Sequence, residues 1–387
     1  MSVVAAAGFT AAGIAAGIKP DGMPDLAVVA CPEGAVSAAV FTTNRAAAAP
    51  VALSRRHLAA GPGITAVVLN SGCANAATGP EGLEAAEAMA HAAATSLGCP
   101  PEEVLVCSTG PIGTSLPLDS VTDGIGRAVS ALAATEEGAA DAADAILTTD
   151  SRRKVTVQSG YAFVVGGMAK GAGMIRPDMA TMLAVLTTDA IVEPDDLRRA
   201  LVDAVDVSFH ALDVDGCPST NDSVVVLASG SSGVAPEVGE LTDVLAAACL
   251  DLARQIAADA EGASRVVSLA VAGAADAATA RALGRAVADS ALVRASLYGG
   301  DPNWGRIVAA LGATSLPYDP EAVAVSFAGV PVAAQGARFA HDEEALAATI
   351  ATGDFTVAIS VGDGPGSAEV LTCDLTPDYA VFNGERT

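Results

Sequence analysis

The sequence predicts a compact protein of mixed α and β structure, in which short strands alternate with longer helices along 387 residues. β-Branched runs alternate with Ala-rich windows, and residues 84–94 show the period of a half-buried helix. Hydrophobic residues make up 51% of the chain and charged residues 17%, which provides a large core and excludes a disordered protein. The length predicts about two domains. Periodicity alone leaves both an α+β and an α/β arrangement open.

The predicted strands are short apolar runs rich in β-branched residues. They are residues 26–30, 65–69, 104–107, 161–165, 182–186, 223–227, 266–271, 323–327 and 356–361. The predicted helices are residues 82–97, 194–204, 242–258 and 277–290. Pro194, Asp195 and Asp196 favour a helix start, because proline fits the first turn and acidic groups complement the helix dipole.

The charge of the chain is strongly negative, with 45 acidic against 20 basic residues and a formal net charge of −25 at pH 7. Such a field repels phosphate backbones and anionic membrane surfaces, so we expect no nucleic-acid and no membrane partner. Residues 2–18 are apolar but contain no basic residue, unlike a secretory leader. The seven cysteines show no C-x-x-C spacing. These features predict a soluble cytoplasmic protein.

Several familiar catalytic motifs are absent from the sequence. It contains no G-x-x-x-x-G-K-[ST] phosphate loop, no H-E-x-x-H and no G-x-S-x-G. The four histidines, His57, His91, His210 and His341, are not spaced to share a metal ion, and we expect a structural or surface role for each. We therefore expect neither a metal site nor a histidine-based triad.

One stretch, residues 166–183, differs from the rest of the chain and reads GGMAKGAGMIRPDMATML. A predicted strand ends in glycines, Lys170 stands among four glycines, and Ala180-Thr181 precedes a second apolar strand. Glycine permits close backbone approach, so this loop can hold Lys170 beside a ligand or another segment. The competing interpretation from residue types alone is an ordinary tight connection that carries a solvated lysine.

This stretch resembles the self-cleavage site of the ornithine acetyltransferase family, also called the glutamate N-acetyltransferase or ArgJ family. In that family the peptide bond before a Thr in an Ala-Thr-Met-Leu context is cut autocatalytically. The similarity covers almost the whole chain and includes, in order, residues 8–13, 40–45, 108–110, 147–150, 219–222 and 300–306. The order and spacing of these strings make the resemblance specific.

The resemblance implies an α+β fold of layered helices and sheets, similar to that of self-processing aminopeptidases, rather than a Rossmann domain. It implies a cut between Ala180 and Thr181. The products are an α chain, residues 1–180, which carries Lys170 and the oxyanion hole, and a β chain, residues 181–387, which carries the nucleophile and a substrate-binding C-terminal part. Two copies of each chain are expected to form a heterotetramer.

The activity implied by the resemblance is acetyl transfer from N2-acetylornithine to glutamate through an acetyl-Thr181 enzyme, in arginine biosynthesis. The freed α-amine, with an unperturbed pKa of about 8, can act as base for the Thr181 hydroxyl, so no histidine is needed. The implied oxyanion donors are Thr109 and the Gly110 backbone N–H. No cofactor is implied, although some family members also accept acetyl-CoA as acetyl donor.

The family's substrate-binding positions correspond to Thr148, Lys170, Thr181, Glu261, Asn383 and Thr387. The carboxylate of Glu261 suits an ammonium group of an ornithine derivative. This chain departs from the family pattern at several positions: the tail lacks one residue and the usual Tyr, Cys73 replaces Asn, Cys217-Pro218 replaces Asp-Thr, and Arg265 replaces Lys.

Two other enzymatic functions stay open at this point. The departures favour a paralogue of a specialised-metabolite pathway with another acyl donor or acceptor. A self-processing aminopeptidase or amidase would instead release the acyl group to water. A non-catalytic binding paralogue is disfavoured, because Lys170, Thr181, Thr109 and Gly110 are all retained.

Overall fold

The computed structural model describes residues 2–61, 63–175 and 182–385, and the chain forms two compact units. Unit 1 comprises Met1–His210 and Cys217–Ile256, and unit 2 comprises Ala211–Gly216 and Ala257–Thr387. The division into residues 1–180 and 181–387 is a cut within unit 1 rather than a boundary between units. Since Ala180 and Thr181 lie outside the described residues, that cut stays a prediction.

In the described part of unit 1, eight strands form one mixed sheet. They are β1 (Thr10–Ile14), β2 (Leu26–Phe41), β3 (Gly63–Asn70), β4 (Val104–Ser108), β5 (Lys154–Ser159), β6 (Val164–Lys170), β7 (Leu183–Thr188) and β8 (Ser223–Ala228). Their order is β4-β3-β2-β8-β7-β6-β5, and β1 pairs with β2. The β3–β4 and β7–β8 pairs are parallel and the other pairs are antiparallel.

The long strand β2 allows this sheet to fold over on itself. Residues 26–30 pair with β3 and residues 36–41 pair with β8, and the β3 register shifts between Ala30 and Ala35. One core cluster contains Val67 and Leu105 from the β3–β4 half together with Val185 and Val225 from the β7–β8 half. The two halves therefore pack face to face, which brings the ends of strands that are distant in sheet order close together.

Helices pack against the sheet of unit 1. They are α1 (Ala49–Ala59), α2 (Gly79–Leu97), α3 (Leu118–Ser130), α4 (Glu136–Ala145), α5 (Pro194–Asp206) and α6 (Val238–Ala257). Met89 of α2 and Ile125 of α3 are buried with Val68 and Val106 of the β3–β4 half. On the other half, α6 approaches β6, because a Cβ added at Gly167 would lie 3.3 Å from a methyl group of Leu252. This helix–sheet–sheet–helix layering confirms the predicted α+β architecture.

Unit 2 contains a six-stranded sheet of order β12-β11-β10-β13-β9-β14. Its strands are β9 (Val266–Ala274), β10 (Ala324–Phe327), β11 (Val330–Ala334), β12 (Ala337–Arg338), β13 (Phe355–Ser360) and β14 (Gly366–Cys373). Its helices are α7 (Ala277–Ala288), α8 (Ala291–Tyr298), α9 (Trp304–Gly312), α10 (Glu343–Ile350) and α11 (Pro377–Gly384). Leu283, Leu297 and Ile307 of these helices are buried in one core with Leu269 and Val357 of the sheet. In the described parts of both units, no helix combines the length and apolar character needed to cross a membrane.

Most predicted strands and helices are confirmed to within a few residues, but the prediction for β6 is wrong. The strand predicted at residues 161–165 instead begins at Val164 and continues through both glycines to Lys170. Gly166 is required by space, because a Cβ there would lie 2.0 Å from the backbone oxygen of Ser2; at Gly167 a Cβ would lie 2.7 Å from a methyl group of the Leu186 side chain. Here glycine admits neighbouring chain against the sheet and does not end the strand.

Candidate active site

The residues expected to act in catalysis lie around the beginning of β7. Lys170, the last residue of β6, is opposite Leu183, the first residue of β7. Leu183 is in turn opposite Ser223, the first residue of β8. The predicted cleavage residues Ala180 and Thr181 lie outside the described residues, but they directly precede Met182 in the chain. The last residue of β6 and the first residue of β8 therefore flank the first described residues after the predicted nucleophile.

The Lys170 side chain is buried, with 2% of its surface exposed. Its Nζ donates a hydrogen bond to Thr109 Oγ1 at 3.4 Å and lies 3.9 Å from a carboxylate oxygen of Asp150. The competing interpretation of a solvated lysine in an ordinary connection is therefore wrong. The face-to-face packing of the two half-sheets explains how a residue at the end of β6 reaches one that follows β4.

Thr109 and Gly110 follow β4 in an arrangement that offers two hydrogen-bond donors. The Thr109 N–H donates to the backbone carbonyl of Asn70 at 2.9 Å, and the Thr109 carbonyl accepts from the Cys73 N–H at 3.0 Å. Because Thr109 Oγ1 accepts from Lys170, the hydroxyl proton can be donated elsewhere. Among the described residues, none accepts a hydrogen bond from the Gly110 N–H. A hydroxyl and a backbone N–H side by side are suitable donors for an oxyanion.

We expect Gly110→Ala to lower the kcat of acetyl transfer by about 10²-fold or more, the loss associated with one oxyanion donor. Gly110 has φ +135°, and a Cβ there would lie 2.5 Å from the Cys73 backbone nitrogen, so the donor loop must shift. Steady-state kinetics measure the effect. Gly113→Ala is the matched control, because Gly113 has φ +82° in the same loop but open space around a Cβ. Equal kcat values for the two variants would contradict the donor role.

Asp150 connects the predicted substrate residue Thr148 with two buried lysines. Its carboxylate accepts from Lys154 Nζ at 2.6 Å, from the Gly171 N–H at 2.6 Å and from the Thr148 N–H at 3.0 Å. Burial alone would raise the pKa of Asp150, but the Lys170 and Lys154 cations and these donors hold it well below its usual range. The side chain is therefore a carboxylate at neutral pH and fixes the network around Lys170.

A cavity of about 590 Å³ opens beside this network. Thr148 and Asp150 line it together with Lys19, Pro24 and Arg152. A cavity of this size can accommodate an amino-acid derivative. Burial lowers the pKa of Lys19, although nearby Asp25 opposes that effect. The predicted substrate residue Thr148 therefore lies at a cavity lined by both basic and acidic groups, while its contact with substrate stays a prediction.

Two further residues expected to contact substrate, Glu261 and Asn383, are neighbours in unit 2. Asn383 Nδ2 donates to Glu261 Oε2 at 3.1 Å. Thr376 Oγ1 donates to the carbonyl of Gly262, which ties the start of α11 to the turn that carries Glu261. Thr387 lies outside the described residues. The pairing of Glu261 with Asn383 is observed, and their assignment to substrate stays a prediction.

The departures from the family pattern differ in their relation to the site. Cys73 is buried against the predicted oxyanion donors, because its N–H bonds to Thr109 and its Sγ contacts the carbonyl of Thr114 at 3.2 Å. Cys217 is exposed. Arg265 pairs with Asp374 in unit 2, at 3.5 Å. Cys73 is thus the departure that touches the donor loop.

Sequence reasoning singled out neither Asp150 nor Asp222 as a site residue, although each ends one of the family-like strings. Asp222 is fully buried directly before β8, and its Oδ1 accepts the Met182 N–H at 2.9 Å. An acidic residue placed directly before a buried apolar strand was the available signal for Asp222. For Asp150, the signal was a lysine four residues later, Lys154, which forms the observed ion pair.

Comparison with known proteins shows a similarity that extends along nearly the whole chain. The profile of the ArgJ family matches residues 10–387. Proteins named arginine biosynthesis bifunctional protein ArgJ from Thermobifida fusca and Streptomyces coelicolor are each 46% identical and cover 99% of this chain and 99% of their own. The ornithine acetyltransferase of Mycobacterium tuberculosis, solved in complex with ornithine, is 42% identical over 46% of this chain and 94% of that chain, with a TM-score of 0.42.

Proposed function

The chain belongs to the ArgJ family and is an acyltransferase of arginine biosynthesis, and we propose that it transfers the acetyl group of N2-acetylornithine to glutamate through Thr181. The observation that carries this proposal is the contact of Lys170 with Thr109, beside the Gly110 N–H and the start of β7. This arrangement provides a cation and two oxyanion donors next to the strand that follows Thr181. The products are ornithine and N-acetylglutamate.

The first reaction in this proposal is cleavage of the chain. The Thr181 hydroxyl oxygen attacks the carbonyl carbon of Ala180, the C–N bond between the two residues breaks, and the Thr181 nitrogen takes up the hydroxyl proton. Water then hydrolyses the resulting ester, which leaves a carboxylate on Ala180 and a free α-amine on Thr181. That amine is a base adjacent to the hydroxyl, a requirement for activating a threonine nucleophile without histidine.

Acetyl transfer uses the same hydroxyl in two half-reactions. The Thr181 oxygen attacks the acetyl carbonyl of acetylornithine, and the tetrahedral oxyanion accepts hydrogen bonds from Thr109 and the Gly110 N–H. The C–N bond breaks, and ornithine leaves with the proton that the α-amine has taken from the hydroxyl. The glutamate amine then attacks the acetyl ester, the new C–N bond forms as the C–O bond to Thr181 breaks, and a proton from the glutamate amine passes to the Thr181 oxygen.

Acetyl-CoA is a second acetyl donor in this proposal. Attack on its thioester forms the same acetyl-Thr181 ester and releases the CoA thiol, so glutamate again completes the transfer. The word "bifunctional" in the names of the relatives supports a second donor. The proposed chemistry requires no cofactor and no metal ion.

The proposed assembly keeps both fragments together after cleavage, as a cytoplasmic heterotetramer of two α and two β chains. Its support lies in the sheet of unit 1, where β7 is hydrogen-bonded to β6 and to β8. β6 precedes the cut and β7 follows it, so the two fragments share a continuous sheet. Breaking one peptide bond between these strands leaves their hydrogen bonds intact.

The decisive experiment is a transfer assay with purified wild-type protein. We expect ornithine release to depend on glutamate, double-reciprocal plots to be parallel, and acetylornithine alone to leave one acetyl group on the fragment that begins with Thr181. Replacing glutamate with aspartate is the control for acceptor specificity. Acetate release independent of glutamate would indicate the hydrolase, and transfer only from a different acyl donor would indicate the specialised-metabolite paralogue.

A further inference from the structure

Asp222 is a fully buried acid that holds the residue next to Thr181 in the chain. Its Oδ1 accepts the Met182 N–H at 2.9 Å, and its own backbone carbonyl accepts the Thr42 N–H at 2.9 Å. Among the described residues, Asp222 Oδ2 has no hydrogen-bond partner. The proposed mechanism so far gives this side chain no task, although it lies directly after the predicted nucleophile.

The backbone of Met182 is anchored to the β8 segment on both sides. Its carbonyl accepts the Ser223 N–H at 3.2 Å, while its N–H is held by the Asp222 side chain. The regular β7–β8 ladder begins one residue later, with Leu183 opposite Ser223. Asp222 therefore supplies the acceptor for the N–H of Met182, the residue that directly precedes the ladder. Because a peptide unit is planar, an acceptor on the Met182 N–H orients the unit that joins residues 181 and 182.

The burial of Asp222 affects the charge of the group that accepts the Met182 N–H. Burial raises the pKa of Asp222 well above its ordinary value, although the Met182 N–H and the Lys170 cation act in the opposite direction. Burial therefore favours the neutral carboxyl form of Asp222, and a side-chain oxygen accepts the Met182 N–H in either form. An asparagine has the same shape and also presents a carbonyl oxygen, so it is the matched substitution.

We propose that Asp222 is a positioning residue, whose Oδ1 anchors the Met182 N–H and thereby directs Thr181 at the Ala180 carbonyl in self-cleavage and at the acetyl carbonyl in transfer. This inference rests on the proposed role of Thr181. A displacement of about 1 Å at a reacting group lowers rates by about 10²-fold. Loss of the anchor thus slows both reactions without removing any group that contacts substrate.

Asp189 provides a matched control at the opposite end of the same strand. It is buried and follows Thr188, the last residue of β7. Its carboxylate accepts the Val164 N–H at 2.8 Å and the Ala7 N–H at 3.3 Å. At the rise of an extended strand, it lies about 20 Å from the start of β7. A merely structural role would give Asp189 and Asp222 the same consequences.

The test compares Asp222→Ala, Asp222→Asn and Asp189→Ala in the full-length chain. Self-cleavage is followed on denaturing gels after synthesis, and kcat and KM are measured on the mature fraction. We expect Asp222→Ala to slow cleavage and lower kcat by about 10²-fold with KM nearly unchanged. Asp222→Asn should retain most of both rates. Asp189→Ala should lower Tm but leave both rates close to wild type.

Three results would overturn the inference: wild-type rates in Asp222→Ala, equal slowing in Asp189→Ala, or an Asp222→Asn variant as slow as Asp222→Ala. If Asp222→Ala does not fold by circular dichroism, Asp222→Leu fills the same space without an acceptor and replaces it in the comparison. Failure of the proposed function looks different, because the wild-type chain itself would then stay uncut and would not become acetylated.

Discussion

Thr181→Ala is expected to remain one uncut chain of 37.9 kDa and to lower acetyl transfer by at least about 10⁴-fold, as in other enzymes that lose their nucleophile. The hydroxyl is the attacking atom in cleavage and the acetyl carrier in transfer, so its removal stops both reactions. An uncut chain also keeps the nitrogen of residue 181 in a peptide bond, where it cannot act as a base. A denaturing gel and the transfer assay measure the two losses.

Thr181→Ser is the control for this substitution, because it keeps the hydroxyl and removes only a methyl group. We expect it to cleave and to transfer acetyl groups. If Thr181→Ala were cut at the same bond, the attacking group would have to be another residue and the proposed mechanism would be wrong. If Thr181→Ala stayed uncut but transferred normally, cleavage and catalysis would not share a nucleophile.

The parts of the fold that the sequence predicts are those with a strong local pattern. The helix α2 and the strands β3 and β8 are long or continuously buried, so their periodicity is visible without knowledge of their neighbours. β14 is different, because it pairs with β9 about a hundred residues earlier in the chain, and its own sequence, GSAEVLTC, contains little that requires a strand. Tertiary pairing decides such elements.

The pKa values of the buried acids at the site also depend on contacts that form only in the folded chain. Asp150 and Asp222 are both buried acids at the ends of family-like strings, yet their pKa values shift in opposite directions. Asp150 has Lys154 and Lys170 beside it, which stabilise the carboxylate. At Asp222, burial outweighs the Met182 N–H and the attraction of Lys170. The spacing of Asp150 and Lys154 is visible in the sequence, but the proximity of Lys170 to both acids is not, because it depends on the folded sheet.

Lys170→Met is expected to lower kcat/KM by about 10²- to 10³-fold, an effect comparable to losing an oxyanion donor. The substitution removes the cation that donates to Thr109 Oγ1 at 3.4 Å and lies 3.9 Å from Asp150. It therefore releases the Thr109 hydroxyl from its orientation and removes positive charge where negative charge develops. Steady-state transfer kinetics measure the loss. Gel analysis of the same samples shows whether cleavage also slows.

Lys154→Met is the control that separates the effect of Lys170 at Thr109 from simple stabilisation of the Asp150 carboxylate. Lys154 is as buried as Lys170 and pairs with the same carboxylate, at 2.6 Å. Loss of Lys154 should reduce Tm and affect kcat/KM much less than loss of Lys170.

A double-mutant cycle that combines Lys170→Met with Thr109→Val then tests whether Lys170 acts through the Thr109 hydroxyl. If the lysine acts through the Thr109 hydroxyl, the double variant loses less than the product of the two single losses, because both substitutions disrupt one shared interaction. Fully multiplicative losses would show that Lys170 acts on the reacting atoms independently of Thr109.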